Sequence, residues 1–179
     1  NACPVYADQS VMYSIRAVSS ERKILDMGAS EVLKGLTVIK FPVPHDFVQT
    51  SGYVFLCGKE KVGYVTDCGR MNDTILSFLK GSDVVILETN HDVEMLKRGP
   101  YPKQLQDRIL SRYGHLSNEE CAKAVRFLSD QGTKHFLLAH LSLQNNTPET
   151  ALKTVMDALN SEECSVYLCP AEGSDLLEY

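Results

Sequence analysis

Several polar residues in this chain fall where apolar runs stop. His45 follows the run Leu36 to Val43, in Pro42-Val43-Pro44-His45-Asp46. Asp67 follows Val62 to Thr66, and His140 follows Phe136-Leu137-Leu138-Ala139. His115 stands between Gly114 and Leu116-Ser117-Asn118. Two histidines and a carboxylate at strand ends suit a transition metal, because imidazole and carboxylate together favour Zn, Mn or Fe. Taken singly, each is equally a satisfied polar group at a strand terminus. Taken together, beside loops rich in amides, they point to a site.

The remaining histidines and amides divide by context. His115 lies close to a helix start, a position that favours anions and disfavours the imidazolium, so it suits an acid/base or a phosphate contact as well as a loop-capping role. Glu88 and His91 sit in Glu88-Thr89-Asn90-His91-Asp92 after a buried run, where a carboxylate needs a partner. His135, after Gly132-Thr133-Lys134, reads as simply exposed. Asn145-Asn146 after His140-Leu141-Ser142 offers amides and a hydroxyl beside a helix start, which can hold a phosphate or organise a turn. The candidate substrate contacts are therefore Asn90, His91, Asn118, Ser142, Asn145 and Asn146.

These residues need an alternating framework to bring them together. Apolar periodicity predicts strands over Pro4 to Ala7, Leu36 to Val43, Tyr53 to Cys57, Lys61 to Thr66, Val84 to Leu87, His135 to Ala139 and Val166 to Cys169. Gly58-Lys59-Glu60 joins two of them as a hairpin. Asp73 to Leu79 reads as a helix with Ile75, Leu76 and Leu79 inward, and Pro102 to Leu110 as another. Ser117-Asn118-Glu119-Glu120 predicts a capping box, with Glu120 reaching back and Ala122, Val125, Phe127 and Leu128 buried. Thr147-Pro148-Glu149 opens a last helix through Leu152, Val155 and Leu159. A hairpin followed by strand–helix alternation predicts an α/β mixed sheet with outer helices, functional residues gathering at one edge. No repeat or linker divides residues 1–179, so one domain or part of one is expected.

Composition narrows the class. At 44% hydrophobic and 23% charged the chain is an ordinary folded protein. A net charge of −5 argues against a general nucleic-acid coat, yet leaves room for an anionic substrate where bound metal supplies positive field. No run is long enough for a membrane span and no signal-peptide core is present, so a cytoplasmic protein without membrane contact is expected. The six cysteines form no Cys-x-x-Cys pair and fit a reducing compartment better than a disulfide framework.

Several strings occur in a telling order: Thr66-Asp67-Cys68-Gly69, Leu87-Glu88-Thr89-Asn90-His91-Asp92, Gly99-Pro100-Tyr101-Pro102, Arg108-Ile109, Gly114-His115-Leu116-Ser117-Asn118, and Ala139-His140-Leu141-Ser142 with Asn145-Asn146. Together they resemble the YycJ/WalJ-type branch of the metallo-β-lactamase-fold hydrolases, from about Pro4 onward. That resemblance implies an αββα sandwich, of which this chain would be the second portion. It implies two divalent metal ions, Zn or Mn, with His45 and His140 as metal histidines and Asp67 bridging. Glu88 is similar to the acidic residue in a comparable loop of ribonuclease Z enzymes. The departure is that no His-x-His-x-Asp-His run is present, so an incomplete set that binds metal weakly is expected, with an apolar sheet surface available for self-association.

The expected activity is metal-dependent hydrolysis of phosphodiester bonds, exonuclease-like in the parent protein, with nucleic acid or another phosphodiester as substrate and His115 or Glu88 assisting proton transfer. One alternative is a catalytically incomplete module that serves structure or partner binding. Another keeps the fold and acts on a lactone, thioester or β-lactam.

Overall fold

The computed structural model describes residues 5–7, 11, 22–24, 30–46, 50–159 and 163–169. Strands β1 (Val5–Ala7) and β2 (Arg22–Ile24) form a parallel pair of their own. The main sheet has seven strands in the order β3 (Ser30–Leu33), β4 (Leu36–Pro42), β5 (Ser51–Cys57), β6 (Glu60–Val65), β7 (Val84–Glu88), β8 (His135–Ala139) and β9 (Ser165–Leu168).

Its two halves are built differently. From β3 to β6 neighbours are antiparallel and joined locally. Lys34-Gly35 turns the first hairpin with φ of 49° and 92°, the double left-handed geometry of a two-residue turn that matches strand twist. From β6 to β9 the strands are parallel, and each crossover passes through helix, as parallel pairing requires. Helix α1 (Asp73–Leu79) links β6 to β7. Helices α2 (Val93–Arg98), α3 (Lys103–Ile109) and α4 (Asn118–Asp130) link β7 to β8, and α5 (Pro148–Ala158) links β8 to β9.

Strand alternation separates two faces of the sheet. Val54, Val65, Val85, Leu87, Phe136 and Leu138 are buried against Ile75 and Leu79 of α1, Cys121, Val125 and Leu128 of α4, and Val155 of α5. Full burial of such a side chain is worth about 1.5–3 kcal/mol, so this layer fixes the register. On the other face Tyr53, Tyr64, Ile86, Leu137 and Tyr167 pair in sequence across five strands and are half-buried.

Two details depart from the sequence reading. Phe127 is 41% exposed: the buried positions of α4 are 118, 121, 122, 124, 125 and 128, and residue 127 projects from the far side of that arc. Ser117 does cap α4 by accepting from the Glu120 amide, but the Glu120 carboxylate goes to Lys123 instead of reaching back. The segments Arg22–Ile24, Ser30–Leu33 and Val93–Arg98 are elements the periodicity does not predict. The five described cysteines are free, and Cys3 lies outside the described residues. Among the described residues no helix is long and apolar enough to cross a membrane.

Candidate metal centre

Parallel neighbours end on the same side, and this alone gathers the first three groups. Val65 pairs with Leu87, and Glu88 pairs with Ala139. Asp67, Glu88 and His140 therefore leave β6, β7 and β8 side by side at the carboxyl edge, where sheets of this kind place their ligands. Asp67 and His140 are also the only described non-glycine residues besides Lys34 with positive φ, at 53° and 59°. Left-handed backbone costs an L-residue free energy and persists where the surroundings enforce it. Here it marks two matching strand exits.

His45 and His115 reach the same point on loops. β4 is two antiparallel steps from β6, so it exits at the same edge, with Pro42 and Pro44 limiting the path to His45. The Gly69 amide donates to the Pro44 carbonyl (2.9 Å) and the Asp46 amide to the Tyr113 carbonyl (2.8 Å). His45 Nδ1 lies 2.9 Å from the Gly114 carbonyl. A carbonyl only accepts, so Nδ1 carries the proton and Nε2 is left as the ligating atom. His115 is set by its own amide donating to Ile109, and by the Asn90 and Asn118 amides donating to Leu116 and His91.

Glu88 is the anchor of the cluster. It is fully buried, and its Oε1 lies 2.7 Å from Nδ1 of both His115 and His140. Its Oε2 accepts from the amides of Cys68 (2.8 Å) and Leu116 (3.3 Å). Burial pushes the carboxyl upward, but the hydrogen bonds from His115, His140 and Cys68 together hold it below its ordinary range. The same bond raises His140 above the usual imidazole value, against the opposing effect of burial.

Asp67 occupies the middle. Its Oδ1 lies 3.9 Å from His45 Nε2, 3.9 Å from His115 Nδ1 and 3.8 Å from His140 Nδ1. One donor atom each from Asp67, Glu88, His115 and His140 falls within 4.8 Å of the others. Two imidazole nitrogens and two carboxylate oxygens so close together fit a borderline-hard divalent cation. His45 stands just outside that foursome, on the Asp67 side. His135 is at the opposite end of β8.

A cavity of about 460 Å³ opens over this cluster. Of the expected substrate contacts, Asn90 and Ser142 line it. His91, Asn118, Asn145 and Asn146 do not, and all four are buried. Asn118 and Asn146 bond each other in both directions at 2.9 Å, with Thr89 donating to Asn118 and Asn146 donating to the Thr89 carbonyl. Their amides stitch the loop after β7 to the starts of α4 and α5 and do not face this cavity. Asp46, Tyr101, Leu105, Arg108 and Ile109 also line the cavity; Tyr101, Arg108 and Ile109 stand in the strings that carry the resemblance, but the sequence gives none of the five a site role. Arg108 is ion-paired to Asp46, 62 residues away. The signal for its face is the spacing of Leu105, Arg108 and Ile109 on α3.

The mixed sheet and its helices have the metallo-β-lactamase fold. Residues 1–141 match the family described as "Beta-lactamase superfamily domain", and the chain belongs to it. It is 35% identical over 164 residues to the exodeoxyribonuclease YycJ of Bacillus anthracis, a match covering 89% of this chain and 62% of the relative. The chain thus spans about three fifths of that relative's length. Among solved structures, the metallo-β-lactamase-fold protein YhfI of Bacillus subtilis superposes with a TM-score of 0.68 at 15% identity, over 92% of this chain and 61% of that one. Zn(2+)-bound PqqB of Methylobacterium extorquens gives 0.67 at 16%, over 94% and 63%. These two likenesses show the shared fold.

Proposed function

We propose that this chain carries the catalytic edge of a divalent-metal-dependent phosphodiesterase that acts on nucleic acid, as the name of its exodeoxyribonuclease relative suggests. The observation that carries the reading is the placing of Asp67 Oδ1 within 3.9 Å of three imidazoles from three different segments. Zn or Mn would be held by Asp67 and His140, with His45 on the far side of Asp67 and Glu88 orienting the imidazoles of His115 and His140. Bound there, the metal supplies a Lewis acid for phosphate oxygens and a source of hydroxide at neutral pH.

The chain's own groups have separable tasks. Glu88 has all its contacts inside the protein, so it positions two imidazoles and is not the proton shuttle the sequence suggests. His115 lines the cavity with Nδ1 held by Glu88, which leaves Nε2 to hold or pass a proton. Arg108 brings a positive charge to the cavity wall, and Asp46 fixes its direction. Cleavage of an end-labelled single-stranded oligonucleotide tests the proposal. Cleavage should require Mn²⁺ or Zn²⁺, stop in chelator, and fall roughly 100-fold in His140→Ala. Equal cleavage with and without chelator would contradict it.

A further inference from the structure

Beside the metal centre lies a second cavity, of about 380 Å³, lined by Pro44, Arg70, Met71, Asn72, Asp73, Arg112 and Tyr113. It abuts the first: Pro44 and Tyr113 line one, and their chain neighbours His45 and Gly114 line the other. The three loops that form it are tied at the backbone. The Gly69 amide donates to Pro44 and the Asp46 amide to Tyr113. A Cβ on Gly69 would lie 2.5 Å from the Arg112 carbonyl and from the Gly114 nitrogen, so only glycine lets these loops meet. That close approach sets Arg70 beside Arg112.

Two features of this cavity point to a ligand. First, Arg70 and Arg112 are exposed and, among the described residues, neither is ion-paired with a carboxylate, whereas Arg108 next door is ion-paired to Asp46. Arg112 rests its guanidinium 4.6 Å from the centre of the Tyr113 ring, which leaves its hydrogen-bond donors for something else. Second, Tyr113 itself is 43% exposed at the rim. A planar aromatic beside unpaired guanidinium groups is the combination that holds single-stranded nucleic acid, with the ring stacking a base and the cations meeting the phosphates. In a chain of net charge −5 such a patch gives an approaching polyanion a local positive field.

We infer that the Arg70–Arg112–Tyr113 cavity is a binding subsite for single-stranded nucleic acid, holding a phosphate and base next to the one at the metal centre. This rests on the phosphodiesterase reading for the neighbouring centre, but its test does not need turnover. Asp73 is the one carboxylate on its wall, and it lies in the first turn of α1.

Fluorescence anisotropy of a labelled single-stranded DNA oligonucleotide, in chelator, measures binding by the full 179-residue chain. Arg70→Ala/Arg112→Ala should weaken binding about 10-fold or more. It should also flatten the plot of log affinity against log salt by about 1.4, roughly 0.7 for each phosphate no longer neutralised. Tyr113→Ala should weaken binding about fivefold or more, with Tyr113→Phe native-like. Lys153→Ala, a charge removed from α5, should leave both affinity and slope unchanged. Native affinity and slope in the double-arginine variant would overturn the inference, as would undetectable binding by the native chain or an equal loss in Lys153→Ala. Arginine-dependent binding without any metal-dependent cleavage would overturn the hydrolase reading and leave the subsite standing. Metal-dependent cleavage with arginine-independent binding would do the reverse.

Discussion

β8 has a histidine at each end, and their surroundings share almost nothing. His135, half-buried and not simply exposed as its sequence context suggests, opens the strand at the edge where Asp83 accepts from the Lys61 amide (2.8 Å) and Lys61 Nζ reaches the Lys80 carbonyl (2.6 Å), a fringe of polar contacts. His140 follows the strand at the other edge, in left-handed backbone, with its Nδ1 on a fully buried carboxylate. The residue type is the same and five positions separate the two. What differs is the direction of the neighbouring strands: three parallel carboxyl ends deliver Asp67, Glu88 and His140 to one point, while the amino ends receive incoming crossovers. Strand direction chooses the edge at which polar groups can be concentrated.

Glu88 is where breaking this contrast should have the largest effect. Glu88→Gln replaces a charged acceptor of four hydrogen bonds with a group that must turn a donor toward some of them. It should destabilise the chain by roughly 3–5 kcal/mol in urea unfolding and reduce metal affinity about 10–100-fold. His135→Gln should change stability by less than about 0.5 kcal/mol and leave metal affinity alone. Similar losses in both variants would erase the distinction between the edges.

Asp67→Asn isolates charge from backbone. Asparagine tolerates left-handed φ as aspartate does, so the fold should survive within about 1 kcal/mol while metal affinity falls about 100-fold. A collapse in stability would show that Asp67 serves the turn more than the site.

The pH profile should sharpen the comparison more gently. His140 is raised by its bond to Glu88, so its contribution is complete below the ordinary imidazole value of 6.5 and is lost as pH rises through the raised value. Glu88 is lowered, so its contribution is complete above the ordinary value of 4.5 and is lost as pH falls through the lowered one. In chelator, stability should therefore be greatest between 4.5 and 6.5, and Glu88→Gln should flatten that maximum in urea unfolding followed across pH. The fringe should respond weakly as well: Asp83→Ala should cost less than about 1 kcal/mol by the same measurement.

Which of these residues can be seen in the sequence follows from the range of the forces involved. The strand runs ending before Asp67, Glu88 and His140 are local patterns, and parallel order then brings their ends together. The cap at Ser117 and the proline-bounded approach to His45 are local too. Asp92 as the cap of the six-residue α2 is not legible, because a helix that short shows no period. Neither is the fate of Asn118 and Asn146: an asparagine facing a ligand and one facing another asparagine look alike until the loops are placed 28 residues apart in sequence and 2.9 Å apart in space. The pairing of Arg108 with Asp46 is longer-range still. Glu88 stands out in the sequence as a carboxylate in need of a partner, but its four simultaneous partners depend on Cys68, Leu116 and both imidazoles being in place.

A metal centre at the carboxyl edge of β6, β7 and β8, with Asp67 in its middle, is open to direct measurement. Calorimetric titration of the metal-stripped chain with Zn²⁺ and Mn²⁺, run in parallel on Asp67→Asn and His135→Gln, tests it most directly. Binding should be saturable in the native chain, retained in His135→Gln and reduced about 100-fold in Asp67→Asn. Equal binding by all three proteins, or no binding by the native chain, would contradict it.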